Sequence, residues 1–236
     1  MFAESFPKWC TQNYLKTKNE TMYQNQTINE AKPATNPYKG WIVLLDNGHG
    51  MNTPGKCSPD KRLREWKYAR EIAEEVEKQL KADGVDVQRI VKEDMDITLG
   101  ERCRRVNAIW NKNGGKNVVL VSIHVNAAGS DSKWHDARGF SVWVSKKGST
   151  NSKRLGKLFC EQGEKLNIMG NRWIPKEKYW QANFTIITDT RCPAVLTENL
   201  FQDNKEDVDY LLSDEGRKTI IDMHVDVIEK YLKGQN

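Results

Sequence analysis

The sequence contains no long apolar run. No stretch approaches the roughly 20 consecutive apolar residues that a membrane-spanning helix needs. The first residues, MFAESFPKWC, also lack the charged head and the apolar segment of a secretory signal. We therefore expect a chain without a transmembrane segment, made either without a signal peptide or with one that has been removed.

Cysteine is scarce and shows no metal-binding pattern. The chain has five cysteines, and no two of them are spaced as C-x-x-C. This spacing argues against a cysteine-based zinc motif and against a regular disulfide framework, so we expect reduced thiols. The cysteines are Cys10, Cys57, Cys103, Cys160 and Cys192.

Basic residues outnumber acidic residues only slightly. The chain carries 37 Lys and Arg against 32 Asp and Glu, a formal net charge of +5. A balance this modest differs from the dense basic stripes of nucleic-acid-binding proteins, so no nucleic-acid partner is expected. We also expect a monomer.

Two regions differ in composition. Residues 1–40 are rich in Thr, Asn, Gln and Lys without a sustained period, which predicts a polar N-terminal extension. From Trp41 to the end, at 236, apolar runs of strand length alternate with amphipathic stretches of helix length, the pattern of one α/β domain. Strands are predicted at 41–45, 85–91, 118–123, 140–144, 194–197 and, less clearly, 184–188. Helices are predicted near 64–82, 100–112, 151–166 and 214–232.

The runs WIVLL and VVLVSI are almost continuously apolar, which is typical of parallel strands buried on both faces. Both are therefore predicted at the centre of a mostly parallel sheet. Each is followed by a histidine, His49 in DNGHG and His124 in SIHVNA. Since the carboxyl ends of the strands form the ligand crevice of open α/β sheets, the two imidazoles can meet there. Either histidine alone could equally be a hydrogen-bonded residue at a strand end; together they favour a metal.

Glu65 lies on the apolar face of the first predicted helix. A 3.6-residue period places it on one stripe with Ala69, Ile72, Val76 and Leu80. An ionised carboxylate facing a core costs several kcal/mol unless a cation meets it, roughly the scale of a broken buried ion pair. The alternative is a half-exposed Glu65 at the helix N-terminus, where the helix dipole favours negative charge.

Glu198 follows the apolar run AVLT in PAVLTENLF, again where a buried strand ends. It could cap the next element or pair with a lysine. Two imidazoles and one carboxylate, from His49, His124 and Glu65, would leave one open position on a zinc ion, the arrangement of hydrolytic sites. Glu198 would then be the nearby carboxylate that accepts a proton and passes it to a leaving amine.

Four other residues have competing interpretations. Asp46 could accept the second N–H of a metal-bound imidazole or cap the turn, and Asn126 could contact substrate or orient its own loop. His224 falls on an apolar helical stripe, which favours a packed histidine over a ligand. His135 is interpreted as a loop residue that could replace a ligand if the predicted order were wrong.

The ordered motifs resemble the zinc-dependent N-acetylmuramoyl-L-alanine amidases with a type 3 catalytic domain, over about 41–232. The matching segments are LLDNGHG, the Glu65 helix, LGERCRRVNAIW, VLVSIHVNAAG, ARGFSVWV, LGKLF, PAVLTENLFQDN and IEKYL. The family's glycine-rich tract after the late glutamate is replaced here by Asn199-Leu200-Phe201.

The resemblance implies one zinc ion held by His49, Glu65 and His124, with Glu198 as the catalytic carboxylate. It also implies an α/β fold with a mostly parallel sheet of about six strands and helices on both faces. The bond cleaved would be the amide between N-acetylmuramic acid and L-alanine of peptidoglycan. Such a chain would act at the bacterial cell wall, as a phage-type endolysin or as a secreted enzyme whose signal has been removed.

Two other functions remain open at this point. A zinc carboxypeptidase or another N-acyl hydrolase could use the same metal and glutamate, with Arg102 or Arg191 binding a terminal carboxylate. A wall-binding module could keep the fold without the chemistry, although the presence of all four predicted site residues argues against it.

Overall fold

The computed structural model describes residues 36–234, and a six-stranded sheet runs through them. Its strands are β1 Ile42–Asn47, β2 Asp86–Arg89, β3 Val118–Asn126, β4 Ser141–Val144, β5 Trp180–Gln181 and β6 Ala194–Phe201. Their order across the sheet is β2-β1-β3-β6-β4-β5. All neighbouring strands pair in parallel except β4 and β6, which are antiparallel.

Helices cover both faces of the sheet. They are α1 Glu65–Ala82, α2 Leu99–Lys112, α3 Thr150–Lys165, α4 Thr185–Thr188, α5 Lys205–Leu212 and α6 Asp214–Lys233. Apolar residues of α1, α3, α5 and α6 form one core against the first face, and those of α2 and α4 form a second core against the other. The predicted α/β fold with a mostly parallel sheet of about six strands is confirmed.

The central strands are buried on both faces because their side chains alternate between the two cores. Along β3, Val119 and Val121 pack into the first core, while Val118 and Leu120 pack into the second. All four side chains are fully buried. The continuous apolar run in the sequence is therefore the consequence of a position in the middle of a two-faced sheet.

The structure differs from the prediction at three elements, one assigned to the wrong type and two not predicted. The segment 184–188, predicted as a strand, is the short helix α4, in which Ile186 and Ile187 are buried in the second core. A stretch this short shows no period that separates helix from strand. Helix α5 was not predicted, although Asn204 caps it by accepting the Asp207 N–H at 3.1 Å. Strand β5 has only two residues, too few for an alternating pattern.

Most of the predicted extension, 1–40, lies outside the described residues. Of the part that is described, Tyr38 is buried in the first core and Asn36 donates a hydrogen bond of 2.8 Å to the Gly84 carbonyl. The boundary between extension and domain stays a prediction. Across residues 36–234, none of the helices combines the length and apolarity that crossing a membrane requires.

Candidate metal and catalytic site

His49 occupies a strained turn directly after β1. It has φ of 59°, in the left-handed region that non-glycine residues enter at a cost of roughly 1–3 kcal/mol. Two arginines hold this turn, because Arg70 Nη2 and Arg102 Nη2 donate to the His49 carbonyl at 3.1 Å and 3.0 Å. The turn also requires Gly48, where an added Cβ would lie 2.3 Å from Cε1 of His124. The imidazole of His49 is thus fixed against that of His124.

Glu65 is the first residue of α1, and its side chain is only 1% exposed. Its Oε1 accepts the Val125 N–H at 3.0 Å and lies 3.0 Å from His124 Nδ1 and 3.4 Å from His49 Nε2. Its Oε2 is buried with no hydrogen-bond partner. The sequence-based alternative of a half-exposed carboxylate is therefore wrong, and the prediction of an inward-facing Glu65 is correct.

The three predicted ligands converge. The rings of His49 and His124 pack edge to face with centroids 5.0 Å apart. One donor atom from each of His49, Glu65 and His124 lies within 4.8 Å of the other two. A cavity of about 190 Å³ opens beside the two imidazoles, between them and the start of α2. These residues form a candidate metal site with two nitrogen donors and one oxygen donor.

Glu198 lies next to this cluster on β6. Its backbone pairs in register with His124 on one side and with Ser141 on the other. Its Oε2 is buried and has no hydrogen-bond partner, so the sequence-based alternatives of a cap or a lysine pair do not describe it. A buried carboxyl beside a cluster of metal-ligand type is available for proton transfer.

The two carboxyl groups of the site have opposite electrostatic environments. Burial by itself would raise the pKa of Glu65, but the hydrogen bonds and charges of His124 and His49 hold that pKa far below its ordinary value. The same contact with Glu65 outweighs burial at His124 and raises the imidazole pKa. At Glu198 burial dominates, with a further contribution from the Glu65 charge, and raises the carboxyl pKa. Glu65 therefore stays ionised, whereas Glu198 binds a proton readily.

Arg102 is the residue of the site that sequence reasoning misjudged. Its side chain is 2% exposed and donates to Asp46 Oδ1 at 2.6 Å, to the Asn47 carbonyl at 2.7 Å and to Asp96 Oδ1 at 2.9 Å. With its bond to His49 it ties the end of β1 to α2. Since its charge is already paired, Arg102 does not offer a receptor for a terminal carboxylate. The alternation of charges in LGERCRR gives no sign of which arginine turns inward.

Arg191, the other arginine considered for that function, lies away from the cluster. Its Nη1 donates to Asn111 Oδ1 at 3.0 Å, and its backbone N–H donates to Asn107 Oδ1 at 2.9 Å. Both contacts join the loop before β6 to the exposed side of α2. Neither arginine named from the sequence therefore faces the candidate site with a free guanidinium.

The remaining candidates are distributed as follows. Asp46 accepts from Arg102 and, at 2.6 Å, from Ser122, rather than from an imidazole of the cluster. Asn126 accepts the N–H of Ala127, which supports a role in orienting its own loop. His135 pairs with Asp131 at 2.8 Å and is not a member of the cluster.

His224 is fully buried on α6 and is not a member of the cluster. Its Nε2 lies 3.0 Å from Thr197 Oγ1, and its Nδ1 lies 2.7 Å from the Ile220 carbonyl. Both ring nitrogens therefore have partners within the core, and the prediction of a packed histidine is confirmed. The described cysteines, Cys57, Cys103, Cys160 and Cys192, are all free thiols; Cys10 lies outside the described residues.

Comparison with known proteins identifies relatives of this chain. The AmiC N-acetylmuramoyl-L-alanine amidase of Neisseria meningitidis serogroup B is 26% identical over an alignment 234 positions long, which covers 81% of this chain and 52% of AmiC. The probable cell wall amidase LytH of Staphylococcus epidermidis is 27% identical over 201 residues, which cover 84% of this chain and 60% of LytH. The chain thus spans between half and two thirds of the length of these relatives.

A solved structure shares the fold. The N-acetylmuramyl-L-alanine amidase Ami1 of Mycobacterium smegmatis superposes with a TM-score of 0.71 at 21% identity, covering 84% of this chain and 99% of that one. The family model described as N-acetylmuramoyl-L-alanine amidase matches residues 43–230, which include the four site residues. By this match over most of its length, the chain belongs to the N-acetylmuramoyl-L-alanine amidase family.

Proposed function

We propose that this chain hydrolyses the amide bond between N-acetylmuramic acid and L-alanine in peptidoglycan, with 41–236 as the catalytic domain. The observation that carries the proposal is the meeting of His49, Glu65 and His124 beside Glu198, within a chain of the amidase family. Residues 1–40 are proposed as an extension of this domain.

The donor set fits a single zinc ion. Zinc bonds of about 2.0–2.2 Å in tetrahedral geometry place ligand atoms roughly 3–3.5 Å apart, and Glu65 Oε1 lies 3.0 Å and 3.4 Å from the two imidazole nitrogens. The buried carboxylate of Glu65, with Oε2 unpartnered, is compensated when a cation binds there. Three protein ligands leave a fourth position open, as in hydrolytic zinc sites. When bound, zinc supplies Lewis acidity, which polarises a carbonyl and acidifies water.

Glu198 is proposed as the group that moves the proton. It takes a proton from the attacking water onto its free oxygen, Oε2, as the water oxygen adds to the amide carbon. It then returns this proton to the leaving nitrogen as the C–N bond breaks. The products are a free lactyl carboxylate on the sugar and a free amino group on L-alanine. Because burial raises the pKa of Glu198, the carboxyl can hold the proton between these two events.

Chemistry on isolated sacculi tests this proposal. The intact chain is incubated with purified peptidoglycan, and new amino-terminal L-alanine is quantified with and without a chelator. New L-alanine amino groups that vanish with chelator and return with added zinc are the expected result. New reducing sugar ends without new amines would instead identify a glycosidase.

The two alternatives predict different outcomes in parallel assays. A carboxypeptidase would release residues from stem peptides with free C-termini and lose this activity when the C-terminus is blocked. A binding module would sediment with sacculi and release nothing, and Glu198→Ala would leave that binding unchanged. We expect neither pattern. Hydrolysis of the sugar–peptide amide requires no free C-terminus, and it releases new amino groups, which a binding module does not.

The site of action and the oligomeric state are further parts of this proposal. We propose that the chain acts at the bacterial cell wall, since its substrate is the wall polymer, and that it acts as a monomer. Multi-angle light scattering of the zinc-loaded chain measures the oligomeric state directly. A mass of twice that of the chain would contradict the monomer.

A further inference from the structure

Arg172 carries a charged group that the proposed mechanism does not use, and it packs against Phe201 at the end of β6, the strand that carries Glu198. The residue is half-buried, and Glu198 is the carboxylate whose charge acts on its guanidinium. Its Nε is buried without a hydrogen-bond acceptor, and within residues 36–234 its guanidinium forms no ion pair. A cation held in this way lacks the partner that buried charges ordinarily have.

The position of this guanidinium is fixed by its surroundings. Its central carbon lies 5.5 Å from the ring centroid of Trp180 and 5.2 Å from that of Phe201. The preceding residue, Asn171, accepts the Arg138 N–H at 3.0 Å and donates to the Asp136 carbonyl at 2.8 Å. Arg172 is therefore held on a braced loop between two rings and is not a mobile surface side chain.

This geometry suits one kind of ligand. Arginine presents its N–H groups in a planar fork that matches the two oxygens of a carboxylate. The buried Nε is out of reach of a ligand, so the contact is made by the two terminal nitrogens, which form no hydrogen bond among residues 36–234. Glu198 does not fill the role, because its own Oε2 has no hydrogen-bond partner. The terminal nitrogens of Arg172 are therefore open to an acceptor that a substrate brings.

We propose that Arg172 binds a carboxylate of the stem peptide and so makes this chain selective for acidic over amidated stems. The carboxylate is the free α-carboxylate of the glutamyl residue that follows L-alanine, one residue beyond the bond to be cleaved. This inference rests on the proposed amidase function, and it adds to it a preference that the metal cluster cannot provide.

Lys56 serves as the matched comparison. Apart from His124, it is the other cation whose charge acts on Glu198, and it also lacks an ion pair among residues 36–234. Its ammonium is a point charge on a flexible stem, without the planar fork and without flanking rings. Replacing Lys56 thus changes the electrostatics of Glu198 in the same direction as replacing Arg172, while leaving the fork in place.

The test uses two soluble substrates that differ in one group. Both are N-acetylmuramoyl-L-alanyl-D-glutamyl compounds in which the side-chain carboxyl of the glutamyl residue is bonded to the next residue of the stem. In one compound the α-carboxylate is free, and in the other it is an α-amide. Values of kcat and KM are measured for the zinc-loaded full chain and for Arg172→Gln, Arg172→Lys and Lys56→Gln, after equal zinc content has been verified. A compound that is not cleaved is measured as an inhibitor of the reaction on sacculi.

The parent chain is expected to favour the acid by about tenfold or more, mainly through KM, the scale of a charged hydrogen-bonded pair. Arg172→Gln is expected to bring the ratio close to one, Arg172→Lys to recover part of it, and Lys56→Gln to keep it. Equal use of, or equal inhibition by, acid and amide in the parent would overturn the inference. So would a ratio unchanged in Arg172→Gln or abolished in Lys56→Gln.

The inference and the proposed function fail in different ways. A parent chain that releases no L-alanine amino groups from sacculi contradicts the function itself. A parent chain that releases them but treats acid and amide alike contradicts only the assignment of Arg172. A purely structural role for Arg172 would lower activity on both compounds equally and leave their ratio unchanged.

Discussion

His124 on β3 and Glu198 on β6 face each other as register partners in adjacent parallel strands. Immediately beyond them the register shifts, and Leu200 adopts φ of 63°. Asn199 bridges the shift by donating from Nδ2 to the His124 carbonyl at 2.9 Å. The candidate ligand and the candidate catalytic carboxylate are thus positioned by the hydrogen-bond ladder of the sheet, which keeps their separation constant.

Replacing Glu198 separates catalysis from metal binding. Glu198→Gln keeps the shape of the side chain but cannot take a proton, so kcat on peptidoglycan is expected to fall by about 10²–10⁴-fold. Zinc content is expected to stay at one ion per chain, because Glu198 is not among the proposed ligands. The exposed Glu161→Gln on α3 is the control and should keep full activity. Loss of zinc together with activity in Glu198→Gln would make Glu198 a ligand.

Removing any of the three proposed ligands should abolish stoichiometric metal binding. His49→Ala, Glu65→Ala and His124→Ala each leave two donors, too few for a stable zinc site of this kind. Metal content after dialysis, measured by atomic emission, is expected to drop well below one ion per chain. His135→Ala, which loses an imidazole paired with Asp131, should retain the ion. Retention of full zinc content in a ligand variant would remove that residue from the site.

Gly48→Ala tests the close approach of β1 to the His124 ring. An added Cβ would lie 2.3 Å from His124 Cε1, so the imidazole must leave its present position against Glu65. Zinc affinity is expected to fall by about 10–100-fold, the usual effect of displacing a group that orients a ligand. Competition with a chromogenic chelator measures this affinity. Gly100→Ala on α2, where nothing lies within 4 Å of an added Cβ, is the control and should leave affinity unchanged.

Arg102→Met should destabilise the fold strongly. The substitution removes a cation that is 2% exposed and leaves Asp46, 1% exposed, as an unpaired buried carboxylate. The free energy of unfolding, from urea titration, is expected to fall by about 3–5 kcal/mol. Arg104→Met on the same helix removes an exposed partner of Glu101 and should change stability by at most about 0.5–1 kcal/mol. Equal effects of the two substitutions would contradict a structural role for the Arg102 network.

The buried side chain of His224 should make the folded chain less stable in mild acid. Burial lowers the pKa of His224 to about 4, whereas an unfolded histidine titrates near pH 6.5. Between these values the unfolded chain binds the extra proton, so this contribution to stability is complete above about pH 6.5 and is lost as the pH falls toward 4. Urea titrations of metal-free protein across this range measure the slope.

The comparison variant for that slope is His224→Gln, whose amide can bond to Thr197 or Ile220 without titrating. The slope of its free energy of unfolding against pH is expected to be smaller than that of the parent over the same range. The difference corresponds to the uptake of up to one proton on unfolding. Identical slopes in the two proteins would show that His224 does not titrate on unfolding in this window. The comparison is made without metal because acid also releases zinc from imidazole ligands.

Much of the site could be predicted because its residues lie at the ends of recognisable elements. The apolar runs before His49 and His124 identify two buried parallel strands, whose carboxyl ends meet at one edge of a sheet. The helical period places Glu65 on an inward face. These predictions depend only on local pattern, and the structure brings the three side chains together as they require.

Other features depend on which residues lie close in space and have no local signal. The segment 184–188 has β-branched residues suited to a strand. Ile186 and Ile187 both pack into the second core, however, whereas successive side chains of a strand point to opposite faces. Arg102 and Arg104 are neighbours in the same charged helix, and only the packing of α2 against the end of β1 turns one inward and leaves the other exposed.

The amino-acid sequence by itself determined the α/β class, the central strands and the candidates for metal ligands, because hydrophobic period and residue type are properties of short segments. Only the tertiary structure decided that Arg102 braces the turn at His49 and that Arg172 stands unpaired at the end of the strand that carries Glu198. Which charges are neutralised depends on contacts between segments far apart in the chain, and these distances exist only once the sheet and its helices have packed.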